Sequence, residues 1–204
     1  MLIVGLNGSP RKNGNTAEIL GAALAEAKAL GADTLLLQVS EGVGAARTAF
    51  CTHCSSPCKG VCYQGTALEE MFNLLRRADA VIMGSPVYFG TVSAQLKAFW
   101  DKTRKLRSEL ALVNVVGAAV TVGGARFGGQ EGTLRTLHNM LLVQGMILVG
   151  DGHVSADAGH FGVCAQQPAK DDTEVFKRVP ILVRRVVEVA RATESLRKGR
   201  RAQA

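Results

Sequence analysis

The chain has 204 residues, of which 47% are hydrophobic and 20% charged, a composition that is typical of one globular domain and excludes a disordered protein. The formal net charge is +7, but residues 191–204 hold five basic side chains and one acid, so the other 190 residues carry only +3. This pattern predicts a basic C-terminal tail rather than a nucleic-acid partner, and the lack of a secretory signal or an apolar run of about 18 residues predicts a cytoplasmic protein with no membrane partner.

Apolar runs and helical patterns alternate along the chain. The five predicted strands are LIVGLN from residue 2, TLLLQV, residues 80–84, NVVGAAVTVGG and GMILVG. The predicted helices cover residues 16–30, 67–77, 93–107, 132–144 and 173–191. Because the strands are continuous rather than alternating apolar runs, we expect burial on both faces in a parallel sheet. Five such β–α units predict an α/β protein with a three-layer, doubly wound fold.

Two segments are longer than a minimal connection requires. Residues 40–65 lie between the second strand and its helix, and residues 151–170 follow the fifth strand. Loops of this length in a compact domain tend to be functional. The predicted organisation is one domain over residues 1–192, with a cysteine-rich insertion at 40–65, followed by the basic tail at 193–204.

The loop after the first strand, GSPRKNGNT at residues 8–16, has the composition of an anion-binding loop. It enters a helix, whose first backbone N–H groups and positive dipole end favour a phosphate group. The polar side chains available to that phosphate are Ser9, Arg11, Asn15 and Thr16. The loop is neither a Walker A motif nor a G-x-G-x-x-G fingerprint. The alternative is an ordinary helix start capped by Asn15 or Thr16.

The loops after the third and fourth strands are expected on the same edge, because ligands of open parallel sheets bind beyond the carboxyl ends of the strands. SPVYFGTV places Tyr88 and Phe89 in the first loop, and TVGGARFGGQEG supplies glycines that allow close approach to a planar group. Aromatic core plugs and a merely flexible glycine loop are the alternatives. A phosphate, a polar chain and a flat ring system would fill all three loops, which makes FMN the expected cofactor.

Three segments carry a family resemblance: GSPRKNGNT, SPVYFGTVSAQLKAFWD, and GGQE followed by HNMLLVQGMILVG. They resemble the NADPH-dependent FMN reductase superfamily of flavodoxin-like proteins and, with the clustered cysteines, are most similar to its iron–sulfur flavoproteins. The resemblance covers about residues 1–152 and implies a five-stranded parallel sheet of order 2-1-3-4-5. The FMN-binding residues that it implies are Ser9, Arg11, Asn15 and Thr16 at the phosphate, Pro86, Val87, Tyr88, Phe89 and Gly90 along the ribityl chain and ring edge, and Gly123 and Gly124 facing the ring.

The resemblance also implies partners. Similar proteins are homodimers or homotetramers with the flavin near a subunit contact, and NAD(P)H or reduced ferredoxin is the expected electron donor. The helix at residues 93–107, which carries Phe99 and Trp100, is the expected dimer contact by analogy. The alternative is an amphipathic helix that packs on its own sheet.

Four of the five cysteines occur in CTHCSSPCKGVC, with the spacing C-x2-C-x3-C-x3-C. Clustered thiols in the cytosol are more often metal ligands or redox groups than structural disulfides. A compact spacing suits a [4Fe–4S] cluster bound by Cys51, Cys54, Cys58 and Cys62. The alternatives are a zinc site that could include His53, a redox pair at the first two cysteines, and metal-free thiols.

No acid–base pair is predicted, so no side chain is assigned a catalytic role. His138 lies among leucines on a predicted helix and is expected to pack there. Cys164 is expected to be a buried apolar thiol. Asp101 and Arg104 are expected to form a surface ion pair.

The sequence therefore predicts an FMN-dependent oxidoreductase that moves electrons between NAD(P)H or reduced ferredoxin and an acceptor, through a [4Fe–4S] cluster next to the flavin. A flavin exchanges electrons in pairs or singly, whereas a cluster carries one at a time. The alternatives are a flavodoxin-like electron carrier without a small-molecule substrate, a metal-free or zinc-bound flavin reductase, and a zinc-stabilised regulator whose tail contacts nucleic acid.

Overall fold

The computed structural model describes the backbone of residues 1–203 and the side chains of residues 1–199. The strands in this range are β1 (Leu2–Asn7), β2 (Asp33–Gln38), β3 (Ala80–Pro86), β4 (Val116–Gly123), β5 (Ile147–Leu148) and β6 (Val163–Gln166). The helices are α1 (Asn15–Ala29), α2 (Val39–Ala45), α3 (Ala67–Arg77), α4 (Ala94–Asp101), α5 (Arg104–Ser108), α6 (Gln130–Leu142), α7 (Thr173–Ala192) and α8 (Glu194–Gln203), with a 3-10 turn at Ala169–Asp171. None of these described helices combines the length and apolar composition that a membrane crossing needs.

The sheet is parallel, and its order β2-β1-β3-β4-β5 confirms the predicted 2-1-3-4-5 topology. The predicted fifth strand, GMILVG, is shortened to the two residues of β5, and a sixth strand that was not predicted, β6, also pairs with β4. Val116 and Gly117 of β4 pair with β5, whereas residues 120–123 of the same strand pair with β6. The strands β5 and β6 are therefore two halves of one edge position, separated by residues 149–162.

A buried carboxylate holds the segment that splits this edge position. Asp151 is 1% exposed, and its Oδ1 accepts a hydrogen bond from the backbone N–H of His160 at 2.6 Å. Its Oδ2 accepts from Nε of Arg178 on α7 at 2.7 Å. The long segment predicted as a loop at residues 151–170 is thus fastened to α7, and it also contains β6 and the 3-10 turn.

Helices cover both faces of the sheet, because successive side chains of each strand point in opposite directions. In β3, Val81 and Met83 join the hydrophobic core formed with α2 to α6, while Ala80 and Ile82 join the core formed with α1 and α7. Burial of a side chain as large as Val81, Ile82 or Met83 stabilises the fold by about 1.5–3 kcal/mol. The predicted three-layer α/β architecture is therefore confirmed.

The predicted helix at residues 93–107 is broken into α4 and α5. Between them, the hydroxyl of Thr103 donates to the carbonyl of Trp100 at 2.6 Å. Phe99 and Trp100 are 0% and 5% exposed, and the indole N–H donates to the carbonyl of Met140 on α6 at 3.0 Å. Both rings therefore pack within their own chain, as the alternative of an amphipathic helix on its own sheet predicts, whereas the role of this helix as a dimer contact stays a prediction.

The predicted basic tail is largely helical in the structure, with α8 covering most of it; its last residue, Ala204, lies outside the described range. Arg197 is 1% exposed rather than solvated, and its Nε donates to Oδ1 of Asp79 at 3.2 Å. Oδ2 of Asp79 accepts the backbone N–H of Leu2 at 2.8 Å. One carboxylate thus joins β1 to α8, a non-local contact that the local charge pattern does not reveal.

His138 is half-buried on α6, where its Nε2 has no hydrogen-bond partner among the described residues. Burial lowers the pKa of its imidazole, and a backbone hydrogen bond at Phe161 opposes this shift. The unfolded chain therefore takes up the proton first as the pH falls through about 6.5, and stability decreases from there until the folded pKa is reached. The free energy of unfolding, measured with urea, should decrease less between about pH 7.5 and about pH 5 in His138→Leu than in the wild type. An equal decrease in the two proteins would contradict the lowered pKa of His138.

Candidate functional site

The loop after β1 is shaped by buried polar contacts behind it. Asn7 is fully buried, and its Oδ1 accepts the N–H of Ser9 at 3.1 Å while its Nδ2 donates to Oε1 of Gln38 at 2.6 Å. Nε2 of Gln38, at the end of β2, donates in turn to the carbonyl of Ser9 at 2.6 Å. Two adjacent strand ends therefore fix the loop, and Gln38 is a supporting residue that the sequence did not reveal.

The start of α1 has no side-chain cap. Its N-cap residue is Gly14, so the predicted alternative of a cap from Asn15 or Thr16 is wrong. Oδ1 of Asn15 instead accepts the N–H of Ala169 at 2.9 Å, and Thr16 is buried against the protein. The guanidinium of Arg11 is exposed. The helix start and this cation together suit an anion.

The loop after β3 makes a tight turn that exposes its aromatic rings. Phe89 and Gly90 have φ of 49° and 80°, the left-handed conformations found in the tightest two-residue turns. The backbone N–H of Tyr88 donates to the carbonyl of Thr91 at 2.9 Å across this turn. Phe89 is fully exposed and Tyr88 is 41% exposed, so the alternative that these rings plug the core is wrong.

The loops after β1 and β3 are joined to each other. The N–H of Gly8 donates to the carbonyl of Gly84 at 2.8 Å, and the hydroxyl of Ser93 donates to the carbonyl of Gly8. Ser93 also caps α4, accepting the N–H of Leu96 at 3.1 Å, and its own N–H donates to Oγ of Ser85 at 3.1 Å. A serine directly before a helix is a recognisable N-cap signal. Its hydrogen bond to Gly8, which is 85 residues away in the chain, cannot be recognised from the local sequence.

The loop after β4 lies against the loop after β3. A Cβ atom placed on Gly129 would be 3.3 Å from Cα of Gly90 and 3.4 Å from Val87 Cγ1. Gly123 is buried beneath the side chain of Gln130, whose Nε2 donates to the carbonyl of Ala125 at 2.7 Å. This glutamine thus fixes the glycine loop.

The three loops therefore meet at the carboxyl edge of the sheet. The strand order reverses between β1 and β3, which is where open α/β sheets bind their ligands. The predicted residues that the structure brings to this edge are Ser9, Arg11, Asn15, Thr16, Pro86, Val87, Tyr88, Phe89, Gly90, Gly123 and Gly124. Among them, Gly124, Arg11 and the two aromatic residues are exposed, whereas Ser9, Thr16 and Gly123 are buried.

A cavity of about 850 Å³ opens beside the glycine loop. Its walls include Arg126, Phe127 and Gly129 from the loop after β4 and Cys164 from β6. Cys164 is exposed in this wall, so the expectation of a buried thiol is wrong. The surrounding protein nevertheless desolvates the sulfur, which raises the pKa of Cys164, and a hydrogen bond from Thr121 opposes the shift.

The cysteine-rich segment joins α2 to α3, and the N–H of Arg47 closes it by donating to the carbonyl of Cys62 at 3.0 Å. Cys51, Cys54, Cys58 and Cys62 are all free thiols, and only Cys54 among them is exposed. Within the described residues, no three cysteine, histidine, aspartate or glutamate side chains lie close enough together to hold a metal ion. Four cysteine thiols are nevertheless the donor set that an iron–sulfur cluster requires.

A buried cation accompanies these thiols. Lys102 is 2% exposed, and its Nζ donates to Sγ of Cys62 at 3.5 Å and to Oγ1 of Thr48 at 3.4 Å. Tyr63, which follows Cys62 in the chain, is 2% exposed and its hydroxyl has no partner among the described groups. Burial, reinforced by the nearby Cys58, raises the pKa of Tyr63 to about 12. The inner part of the segment is therefore a low-dielectric environment that contains the ammonium group of Lys102.

The two predicted sites lie at opposite ends of one helix. Ser93 begins α4 at the loop edge, and Lys102 follows its last residue beside Cys62. The rise of an α-helix over this length is about 13 Å. On the same helix, Asp101 pairs with Lys97 at 2.6 Å, so the expected ion pair between Asp101 and Arg104 is wrong.

Comparison with known proteins identifies the relatives of this chain. Residues 1–161 match the family model described as NADPH-dependent FMN reductase. The chain is 38% identical over 192 residues to an iron–sulfur flavoprotein of Methanosarcina thermophila, covering 93% of this chain and 95% of that protein. It is 38% identical over 194 residues to an iron–sulfur flavoprotein of Methanocaldococcus jannaschii, covering 94% and 98%. A WrbA-like flavodoxin structure from Agrobacterium tumefaciens has a TM-score of 0.68 at 21% identity, covering 94% and 98%, and supports a flavodoxin-like fold.

Proposed function

The chain belongs to the NADPH-dependent FMN reductase family and is an FMN-dependent oxidoreductase, and from this premise we propose that it passes electrons from NAD(P)H to an acceptor with a [4Fe–4S] cluster as a second redox centre. The observation that carries the proposal is the meeting of the three loops at the switch point of the sheet, where the N–H of Gly8 donates to the carbonyl of Gly84 and a Cβ atom added to Gly129 would be 3.3 Å from Cα of Gly90. When bound there, FMN supplies hydride and single-electron chemistry.

The residues of this chain would bind and orient the cofactor. The phosphate would lie at the start of α1, against backbone N–H groups, Ser9 and the Arg11 guanidinium, while Asn15 and Thr16 shape the helix start. The ribityl chain and ring edge would follow Pro86, Val87, Tyr88, Phe89 and Gly90. The ring would face Gly124, next to the buried Gly123.

Cys51, Cys54, Cys58 and Cys62 would hold the cluster, in line with the iron–sulfur flavoprotein names of the two relatives. A cluster at Cys62 and a flavin at the loop edge would lie at opposite ends of α4 within one chain. A homodimer or homotetramer could bring the cluster of one chain to the flavin of another. This arrangement agrees with the expected flavin position near a subunit contact.

Anaerobic purification followed by reduction of the bound flavin tests the proposal. We expect FMN and about four iron atoms per chain, and reduction of the flavin by NADH or NADPH without another protein. If only reduced ferredoxin reduced the flavin, the chain would be an electron carrier instead. Flavin without iron, or with zinc, would contradict the cluster. Colourless protein that does not bind added FMN would contradict the whole proposal.

Replacing Arg11 with alanine should weaken FMN binding by about 10–100-fold, because a charge-assisted hydrogen bond to phosphate contributes about 1.5–3 kcal/mol. Lys12→Ala is the matched control. It removes a positive charge next to Arg11 whose ammonium group already pairs with Glu41 at 2.8 Å, so FMN binding should change little. Titration of the apoprotein with FMN, followed by flavin fluorescence, measures both dissociation constants. Riboflavin, which lacks the phosphate, should bind wild type and Arg11→Ala equally. Equal losses in the two variants would contradict the phosphate assignment.

A further inference from the structure

The ammonium group of Lys102 is buried without an ion-pair partner. The side chain is 2% exposed, and among residues 1–199 no carboxylate lies within ion-pair distance of it. Its described contacts are Sγ of Cys62 at 3.5 Å and Oγ1 of Thr48 at 3.4 Å. Burying a charge without compensation is strongly unfavourable, so this position indicates that a negative group belongs beside it.

The charged groups nearest along the chain do not supply that compensation. Asp101 is paired with Lys97 at 2.6 Å, and Glu109 is paired with Arg76 at 2.8 Å, both at the surface of the helices. The sulfur of Cys62 is the group that Lys102 faces from the cysteine-rich segment. A negative charge that compensates Lys102 would therefore be carried by Cys62 or by a group bound to it.

The backbone of Lys102 is anchored in the core of the protein. Its N–H donates to the carbonyl of Phe99 at 3.1 Å at the end of α4. The next residue, Thr103, is 1% exposed and accepts a hydrogen bond on its hydroxyl from Nε2 of Gln144 at 2.7 Å. The segment between α4 and α5 is thus part of the core, and only the end of the lysine reaches the cysteines.

We propose that Lys102 is the counter-charge of a cluster bound through Cys62 and raises the reduction potential of that cluster. This inference rests on the proposed function. A thiolate-bound cluster carries net negative charge, and accepting one electron from the donor increases that charge without forming or breaking a bond to the protein. A cation within hydrogen-bonding distance of a ligand sulfur stabilises the reduced form more than the oxidised form.

The test compares the cluster potential of three variants with that of the wild type, each purified anaerobically with its FMN. Lys102→Met removes the charge at similar volume, Lys102→Arg keeps it, and Lys97→Met removes an exposed charge from the same helix. Redox titration followed by electron paramagnetic resonance gives each midpoint, and metal and flavin analysis gives the cofactor content. We expect Lys102→Met to lower the equilibrium constant for cluster reduction by about tenfold or more, which is 59 mV for one electron. The other two variants should change it by less than about threefold.

The outcomes separate this inference from the proposed function. An unchanged midpoint in Lys102→Met, with iron present, overturns the counter-charge role alone. A wild type that contains zinc or no iron overturns both the cluster and the role. If Lys102→Met loses iron but keeps FMN, retention of iron in Lys102→Arg supports the charge argument, whereas loss from both variants overturns it.

Discussion

The Cys54→Ala protein is expected to keep its FMN and to lose most of its iron. A [4Fe–4S] cluster needs all four thiolates of the segment, so removing one ligand should release or degrade the cluster. Cys54 is exposed and lies outside the hydrophobic cores, so its replacement should not disturb the fold or the three loops at the sheet edge. Iron and flavin analysis of anaerobically purified protein measures both expectations.

The matched control is Cys164→Ala, which removes the one cysteine outside the segment. Cys164 lies on β6 in the wall of the cavity, away from the α2–α3 connection. This variant should retain the iron and the flavin of the wild type. Full iron retention in Cys54→Ala would overturn the assignment of this residue as a ligand, and equal loss in both variants would show a general effect of thiol removal.

Replacing Arg178 with methionine should cause a large loss of stability, because it separates a buried ion pair. Asp151 would remain buried with its partner removed, and breaking a buried pair in this way typically costs about 3–5 kcal/mol. Because the Arg178 side chain is 21% exposed, we expect the loss of unfolding free energy to lie at the lower end of this range, at about 3 kcal/mol. For a chain of this size that corresponds to a decrease in Tm of about 6–12 °C, measured by thermal unfolding.

Two further variants show whether the buried carboxylate of Asp151 causes the loss of stability in Arg178→Met. Arg185→Met, on the same helix, removes an exposed pair with Glu188 and should cost no more than about 0.5 kcal/mol. Adding Asp151→Asn to Arg178→Met removes the unpaired charge and should recover part of the loss. If the double variant is no more stable than Arg178→Met, the cost arises from the other contacts of the arginine, which include hydrogen bonds to Asp157 at 2.7 and 3.0 Å, rather than from the buried carboxylate.

The elements that the sequence predicted well are those set by local pattern. The structure gives α3 the predicted bounds, Ala67–Arg77, and the four long strands follow the apolar runs. The chain after β5 was misjudged because its course depends on Asp151 and Arg178, which are 27 residues apart. The break between α4 and α5 depends likewise on contacts of Thr103 with Trp100 and Gln144, which a helical repeat does not show.

In the candidate site, the sequence likewise identified the residues expected to face a ligand but not the residues that support them. The residues expected to touch a ligand stand in glycine-rich loops whose composition is visible locally, so the sequence placed them on one edge. The residues that hold those loops were missed. Gln38 and Ser93 bind carbonyls of the loop after β1 from distant positions in the chain, and Gln130 binds the carbonyl of Ala165 on β6 as well as that of Ala125. Lys102 carried no signal either, because only the fold brings the end of α4 to the cysteine-rich segment.

The divided edge of the sheet limits how copies of this chain can associate. Next to β4, the outermost position offers two residues in β5 and four in β6, interrupted by a folded segment. An uninterrupted row of backbone donors and acceptors, which an incoming strand would need, does not exist there. Growth of the sheet from one molecule into another is therefore disfavoured on this side, so any contact between copies at this edge would be made by side chains of helices and connecting loops.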